Sequence, residues 1–223
     1  MELSYWLSRW KKGHTGFHME EGYPGLSAHW PSLPIPSNPI VLIPLAGKSV
    51  DIKWISDRAQ KVICSEISAA AIKQFFDQHK MKFSKTRFAS FEIYQSQNIE
   101  FWCGDFMKLP LDKMSEIDLI YDKASIVALP DKMRISYSNK MISLSSDSTK
   151  ILMHLLSYDQ SEMTGPPFSV DPDEVKHLFS EKFDIQLLEK NRLNIQKFEK
   201  FLNRGLKSDL IEYLLLLSVR ITI

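Results

Sequence analysis

Cysteine is nearly absent: Cys64 and Cys103 are the two in 223 residues. That is too few for a disulfide framework or a zinc site, and it fits a reducing cytoplasm. Charge imbalance is absent too. The 28 basic and 27 acidic residues leave a formal net charge of +1, so electrostatics supply no case for nucleic acid or an acidic membrane as partner. Long apolar runs are missing. The longest, Leu210–Ile223, carries Glu212 and Arg220, which is too short and too charged to span a membrane and suits a buried strand. Arg9, Lys11 and Lys12 interrupt the N-terminus, which therefore does not read as a signal peptide. The six histidines make no HExxH or other metal pattern. There is neither an internal repeat nor a low-complexity segment.

What is present is a composition of 44% hydrophobic and 25% charged residues, that of a globular domain. The length suits one domain over residues 1–223. Within it, residues 1–38 read as an N-terminal lid and connection: an amphipathic helix over 3–12 with Trp6 and Trp10 one turn apart, then an irregular Pro-, Gly- and Ser-rich stretch over 19–38. The continuous apolar run Ile40–Leu45 is the pattern of a strand buried on both faces of a parallel sheet. Further strands are expected at 61–66, 99–103, 117–121, 150–156, 183–188 and 210–219. Helices are expected at 49–59, 68–80 (with Ser68 as N-cap), 131–144 and 173–182. Residues 81–97 show no clear period and read as an insertion or a short hairpin. Strands alternating with helices indicate an α/β sheet with helices on both faces.

The first strand ends in Gly47-Lys48-Ser49, which matches the close of an ATP-binding P-loop. Such a loop needs a glycine five residues before its Gly-Lys pair, and that position is Leu42, inside the strand. The alternative is a doubly wound nucleotide site, in which a tight turn follows the first strand and an acid closing the second takes the ribose hydroxyls. Glu66 closes "KVICSE", 19 residues beyond Gly47. A dinucleotide fingerprint would require Gly-x-Gly-x-x-Gly, and Gly47 alone is present. A cofactor without a pyrophosphate, such as S-adenosylmethionine, is therefore more natural than NAD. Asp105, in "FWCGDF", could accept from an adenine amino group with Phe106 flanking the ring; taken alone, it reads better as a surface turn acid after Gly104.

Six stretches, "WLSRWKKGHTGFH", "PLAGKSVDIKW", "SEIS", "CGDF", "YDKASIVALPDKMR" and "LSYDQSEMTGPPFSV", resemble the thiopurine S-methyltransferase family in order and spacing, from Trp6 to Glu189. The resemblance implies a Rossmann-like class I methyltransferase fold, a seven-stranded, mostly parallel sheet with helices on both faces and the last strand antiparallel. It implies S-adenosylmethionine as methyl donor. By matched position, Trp10, Leu45, Glu66 and Lys123 fall on cofactor-binding positions, with Gly47 in the same turn and Asp105 and Phe106 on the adenine side. Phe17, Lys123, Pro166 and Pro167 fall on the acceptor side. Lys123 stands where Arg is usual, keeping the charge without the planar fork. Ala46 replaces a common Cys, Cys64-Ser65 a small-apolar pair, and Ala59 a Gly at the end of the first helix of the fold, where a different cap is expected.

Methyl transfer from a sulfonium is an in-line displacement that mainly requires alignment and exclusion of water. An ionised thiol or selenol acceptor needs no strong base, so no catalytic triad and no metal is expected. The function read from these residues is methyl transfer to a small thiol-type acceptor, selenium or tellurium included. The alternatives are another soft nucleophile such as thiocyanate or halide, and a cofactor-binding sensor without turnover. Neither nucleic acid nor membrane is an expected partner. The oligomeric state is left open, with a monomer among the options. Asp122 and Asp159, at strand ends, suit either guidance of the acceptor's proton or capping.

Overall fold

The computed structural model describes residues 3–13, 19–114 and 116–220. They form two compact units, Met1–Tyr121 and Asp122–Ile223.

In the first unit, the β-branched run of β1 (Ile40–Ile43) pairs in parallel with β2 (Lys61–Glu66), in register from Ile40 opposite Lys61 to Ile43 opposite Cys64. On its other side β1 pairs in parallel with β6 (Leu119–Lys123), Val41 lying opposite Leu119. Strand β2 pairs in parallel with β5 (Ile99–Cys103). Residues 81–97 are a hairpin. Strand β3 (Ser84–Phe88) is antiparallel to β4 (Phe91–Ser96), which is antiparallel to β5. The order in this unit is β3-β4-β5-β2-β1-β6.

Helix α1 (Leu3–Lys11) forms where the aromatic spacing placed it. Residues 19–38 correct the expectation of an irregular stretch, because they contain α2 (Pro24–His29) and a 3₁₀ turn at Trp30–Ser32. Proline breaks helix interiors but suits the first turn, where its missing N–H has no partner to lose; Pro24 and Pro31 both sit there. Helix α3 (Asp51–Ser56) is shorter than expected. Its end explains how Ala59 replaces a glycine. The Asn98 amide donates to the carbonyls of Ser56 and Ala59, both at 2.8 Å, so the final carbonyls are satisfied by a side chain. Helix α4 (Ala69–Gln78) is capped by Ser68, whose hydroxyl accepts from the Ala71 amide at 3.3 Å. It buries Ala71, Ile72, Phe75 and Phe76. Both phenylalanine rings pack on Phe101 of β5, at 5.3 and 5.6 Å between centroids, each burial worth about 1.5–3 kcal/mol.

In the second unit the order is β7 (Lys150–Ser157), β9 (Leu210–Val219), β8 (Phe183–Leu193), and both pairings are antiparallel. The last strand thus runs antiparallel to its neighbours, as expected. Helix α5 (Asp131–Ser143) is joined to α6 (Pro172–Phe179) by Arg134, whose Nη1 lies 2.6 Å from both Glu174 oxygens. Asp171 caps α6 by accepting from the Glu174 amide at 2.9 Å. The polar segment before β9 holds α7 (Glu199–Leu202). Phe201 and Leu206 from that segment pack with Tyr158, Met163 and Leu210 in a buried cluster. All seven expected strands are present, and the β3–β4 hairpin brings the count among the described residues to nine. No helix among them is long and apolar enough to cross a membrane.

Candidate active site

The turn after β1 is built for close approach. Leu45 and Gly47 have φ of 47° and 57°, the left-handed region in which glycine alone is unstrained. The Ala46 amide donates to the Ser65 carbonyl at 2.9 Å, and the Ser49 amide returns to the Ala46 carbonyl at 3.3 Å. The chain therefore doubles back within a few residues, which leaves no long loop to wrap a triphosphate.

Glu66 closes β2 and is buried, 4% exposed. Its two oxygens accept from the Gly47 and Ser68 amides, each at 2.8 Å. One carboxylate thus links the glycine turn to the start of α4. Burial outweighs these amide donors and pushes its pKa up to about 7. A carboxylate has about four acceptor positions, so the amides donating to Glu66, those of Gly47 and Ser68 with a further contribution from Ile67, leave room for a ribose hydroxyl. The Glu66 carbonyl accepts from the Gly104 amide at 2.9 Å, which sets Asp105 two residues beyond the pairing of Glu66 with Cys103. The Asp105 carboxylate accepts from the Met107 amide at 3.1 Å. It is half-buried, and the Phe106 ring is buried.

Trp10 is 4% exposed, and its ring lies on the turn: a Cβ added to Gly47 would stand 3.2 Å from Trp10 Cζ2. The structure therefore brings Trp10, Leu45, Gly47, Glu66 and Asp105 into one neighbourhood of the first unit. Phe17 lies outside the described residues. Gly47→Ala should cost about 1–2 kcal/mol for a side chain in left-handed backbone, before any shift of Trp10. The expected reading is a melting temperature lower by about 2–8 °C, measured by calorimetry; an unchanged value would show that the turn relaxes freely.

Neither cysteine is ionised at neutral pH. Burial first, then the Glu66 charge, raise Cys64 well above its ordinary value and Cys103 to about 11. Nucleophilic thiolate chemistry by the chain is thereby disfavoured.

In the second unit, Lys123 closes β6 and is half-buried. Its neighbour Asp122 is fully buried. The Asp122 carboxylate accepts from the Ser125 amide at 2.7 Å, the Ile126 amide at 3.3 Å and the Tyr137 hydroxyl at 2.9 Å. Burial raises its pKa to about 6 against those donors. Its geometry is that of a cap, and it fixes the turn that carries Lys123, where Ala124 has φ 61°. Asp159 likewise accepts from the Ser161 amide at 2.9 Å and hydroxyl at 2.7 Å.

Pro166 and Pro167 are half-buried in the loop after β7. Arg204 donates to the Pro166 carbonyl at 2.9 Å and to the Thr164 carbonyl. Glu162 accepts from the Lys207 and Ser208 amides at 2.8 and 2.7 Å. Sequence reasoning missed a pair in this unit: His154 of β7 and Glu212 of β9, with Nε2 to Oε1 at 2.7 Å. Burial pushes Glu212 up, but the His154 hydrogen bond, with the charges of His154 and Lys123, brings it below its ordinary value. The signal was one polar residue inside each of the apolar runs "KILMHLLS" and "LIEYLLLL". No cluster of potential metal ligands occurs among the described residues.

A family model described as thiopurine S-methyltransferase matches residues 1–211. A thiopurine S-methyltransferase of Marinobacter nauticus is 38% identical over 213 residues, covering 95% of this chain and 96% of that protein. Among solved structures, an S-adenosylmethionine-dependent methyltransferase from Anabaena variabilis superposes with a TM-score of 0.63 at 12% identity, covering 98% and 95% of the two chains. A Burkholderia thailandensis 1,6-didemethyltoxoflavin-N1-methyltransferase, solved with S-adenosylhomocysteine bound, gives 0.60 at 13% identity, covering 95% and 86%. These structural likenesses show the class I, Rossmann-like fold.

Proposed function

Because the chain belongs to the thiopurine S-methyltransferase family and is an S-adenosylmethionine-dependent methyltransferase, we propose that its acceptor is a small thiol, or its selenium or tellurium counterpart, methylated on the chalcogen. The observation that carries the cofactor half is the buried Glu66 carboxylate, held by the Gly47 and Ser68 amides with acceptor capacity to spare. S-adenosylmethionine, when bound, supplies a methyl group on a positively charged sulfur. Glu66 accepts from the ribose hydroxyls. Gly47 and Leu45 let the backbone approach closely, Trp10 covers the turn and keeps water from it, and Asp105 and Phe106 form the adenine side.

On the acceptor side we assign Phe17, Lys123, Pro166 and Pro167. Lys123 supplies a positive charge that favours an anionic thiolate over its neutral form. With the nucleophile already ionised and the leaving group already activated, the protein's task is alignment and exclusion of water, and the reaction needs no metal. In this reading the whole chain serves one methyltransferase activity, with residues 1–38 as its cover. It acts in the cytoplasm on a small molecule rather than on nucleic acid or membrane.

The test is release of S-adenosylhomocysteine with a panel of thiols, selenols, thiocyanate and iodide. Turnover with thiols and selenols is expected. Turnover confined to thiocyanate or iodide would replace the acceptor class, and cofactor binding without turnover on any acceptor would make the chain a sensor.

A further inference from the structure

The loop after β7 is closed at its ends and pinned across its middle. The Tyr158 amide donates to Ser169 Oγ at 3.0 Å, and that hydroxyl donates back to the Tyr158 carbonyl at 2.7 Å. Gln160 bridges the interior. Its amide nitrogen donates to the Met163 carbonyl at 2.6 Å and to the Tyr158 hydroxyl oxygen at 3.1 Å, while its oxygen accepts from the Ser169 amide at 2.8 Å. The Tyr158 hydroxyl donates in turn to the Pro167 carbonyl at 2.6 Å.

This network has a chemical consequence. Pro166 and Pro167 have no N–H to donate. Their carbonyls are aimed at donors of the chain itself, Pro166 at Arg204 and Pro167 at Tyr158. The proline pair is thereby left with ring faces to offer and little hydrogen-bonding capacity. A polar acceptor placed against such a surface gives up hydrogen bonds to water without replacement, and an apolar one does not.

We infer that Tyr158 and Gln160 are positioning residues that set acceptor selectivity, by holding the Pro167 carbonyl on the Tyr158 hydroxyl and so keeping the proline surface apolar. The inference rests on the proposal that Pro166 and Pro167 line the acceptor side. Tyr158 is buried at 8% and Gln160 is exposed, so a change at Gln160 disturbs the pin without opening the core.

The experiment compares methylation of thiophenol and of 2-mercaptoethanol by wild type, Tyr158→Phe and Gln160→Met. Cofactor-product affinity is measured by calorimetry and folding by melting temperature. In Tyr158→Phe the Pro167 carbonyl loses its donor, and the hydroxyl of 2-mercaptoethanol can replace it. The ratio of kcat/KM for thiophenol over 2-mercaptoethanol should fall about fivefold to tenfold, the worth of one ordinary hydrogen bond. Gln160→Met should shift the ratio in the same direction through acceptor KM, with cofactor affinity unchanged. If Tyr158→Phe fails to fold, the Gln160→Met ratio decides. Folded variants with the wild-type ratio overturn the inference alone. A wild type that methylates neither thiol overturns the acceptor reading and this inference with it.

Discussion

Glu66→Ala should reduce affinity for S-adenosylhomocysteine by at least one to two decades in calorimetry. Each hydrogen bond from a ribose hydroxyl to a carboxylate is worth about 1.5–3 kcal/mol, and about 1.4 kcal/mol is a factor of ten. The same change strands the Gly47 and Ser68 amides, which now donate to that carboxylate at 2.8 Å, so the variant should also melt earlier. Equal affinity in wild type and variant would remove the ribose assignment.

The raised pKa of Glu66, about 7 against an ordinary 4.5, adds a pH dependence with a definite sign. The folded protein holds this proton more tightly than the unfolded chain. The contribution to stability is therefore fully present below pH 4.5 and is lost as the pH rises through 7, amounting to about 3 kcal/mol at 1.36 kcal/mol per unit. If Glu66 takes the ribose, cofactor binding runs the other way, because the hydroxyls would donate to the charged form. Affinity should climb about tenfold per pH unit below 7 and then level off. Proton release on binding, read from calorimetry in buffers of different ionisation heat, should approach one below pH 7 and vanish above it. Glu66→Gln should flatten both profiles.

The second large effect is expected at Lys123. If its charge holds the acceptor thiolate, Lys123→Met should lose about one to two decades in kcat/KM at saturating cofactor, from a charged hydrogen bond worth about 1.5–3 kcal/mol. Lys123→Arg should retain activity, and should raise it if paired donors are what the acceptor prefers. Melting temperatures should change little, since Lys123 is half-buried while the adjacent Asp122 cap keeps its partners. Equal activity in all three proteins would remove Lys123 from the acceptor side.

The parts of this architecture that were legible in the sequence are those fixed by local pattern. The apolar run of β1, the small-residue turn and the acid that closes β2 are set by neighbours along the chain, and Glu66 and Gly47 duly meet. Ser68 is the cap that its place before α4 suggested. The parts that were not legible either carry no local pattern or depend on pairing across long separations. Strand β3 is exposed along its whole length, so no alternation of buried and open positions marks it. Gln160 has nothing in its local sequence to show that it reaches Tyr158, Met163 and Ser169. Asn98 gives no sign that it caps a helix some forty residues earlier. His154 and Glu212, 58 positions apart, become a pair only once β7 and β9 align.

The β3–β4 hairpin has a bearing on how the protein survives at high concentration. Without it, β5 would end the sheet of the first unit, offering the bare backbone of "IEFWC" to any other unfinished strand. Such an apolar border templates aggregation. The hairpin moves the border out to β3 (Ser84–Phe88), where Lys85 and Arg87 alternate with Ser84 and Thr86 before the aromatic Phe88. A second molecule aligning there would oppose cation to cation and would have to desolvate both. The insertion thus serves as a guard on this border of the first unit's sheet.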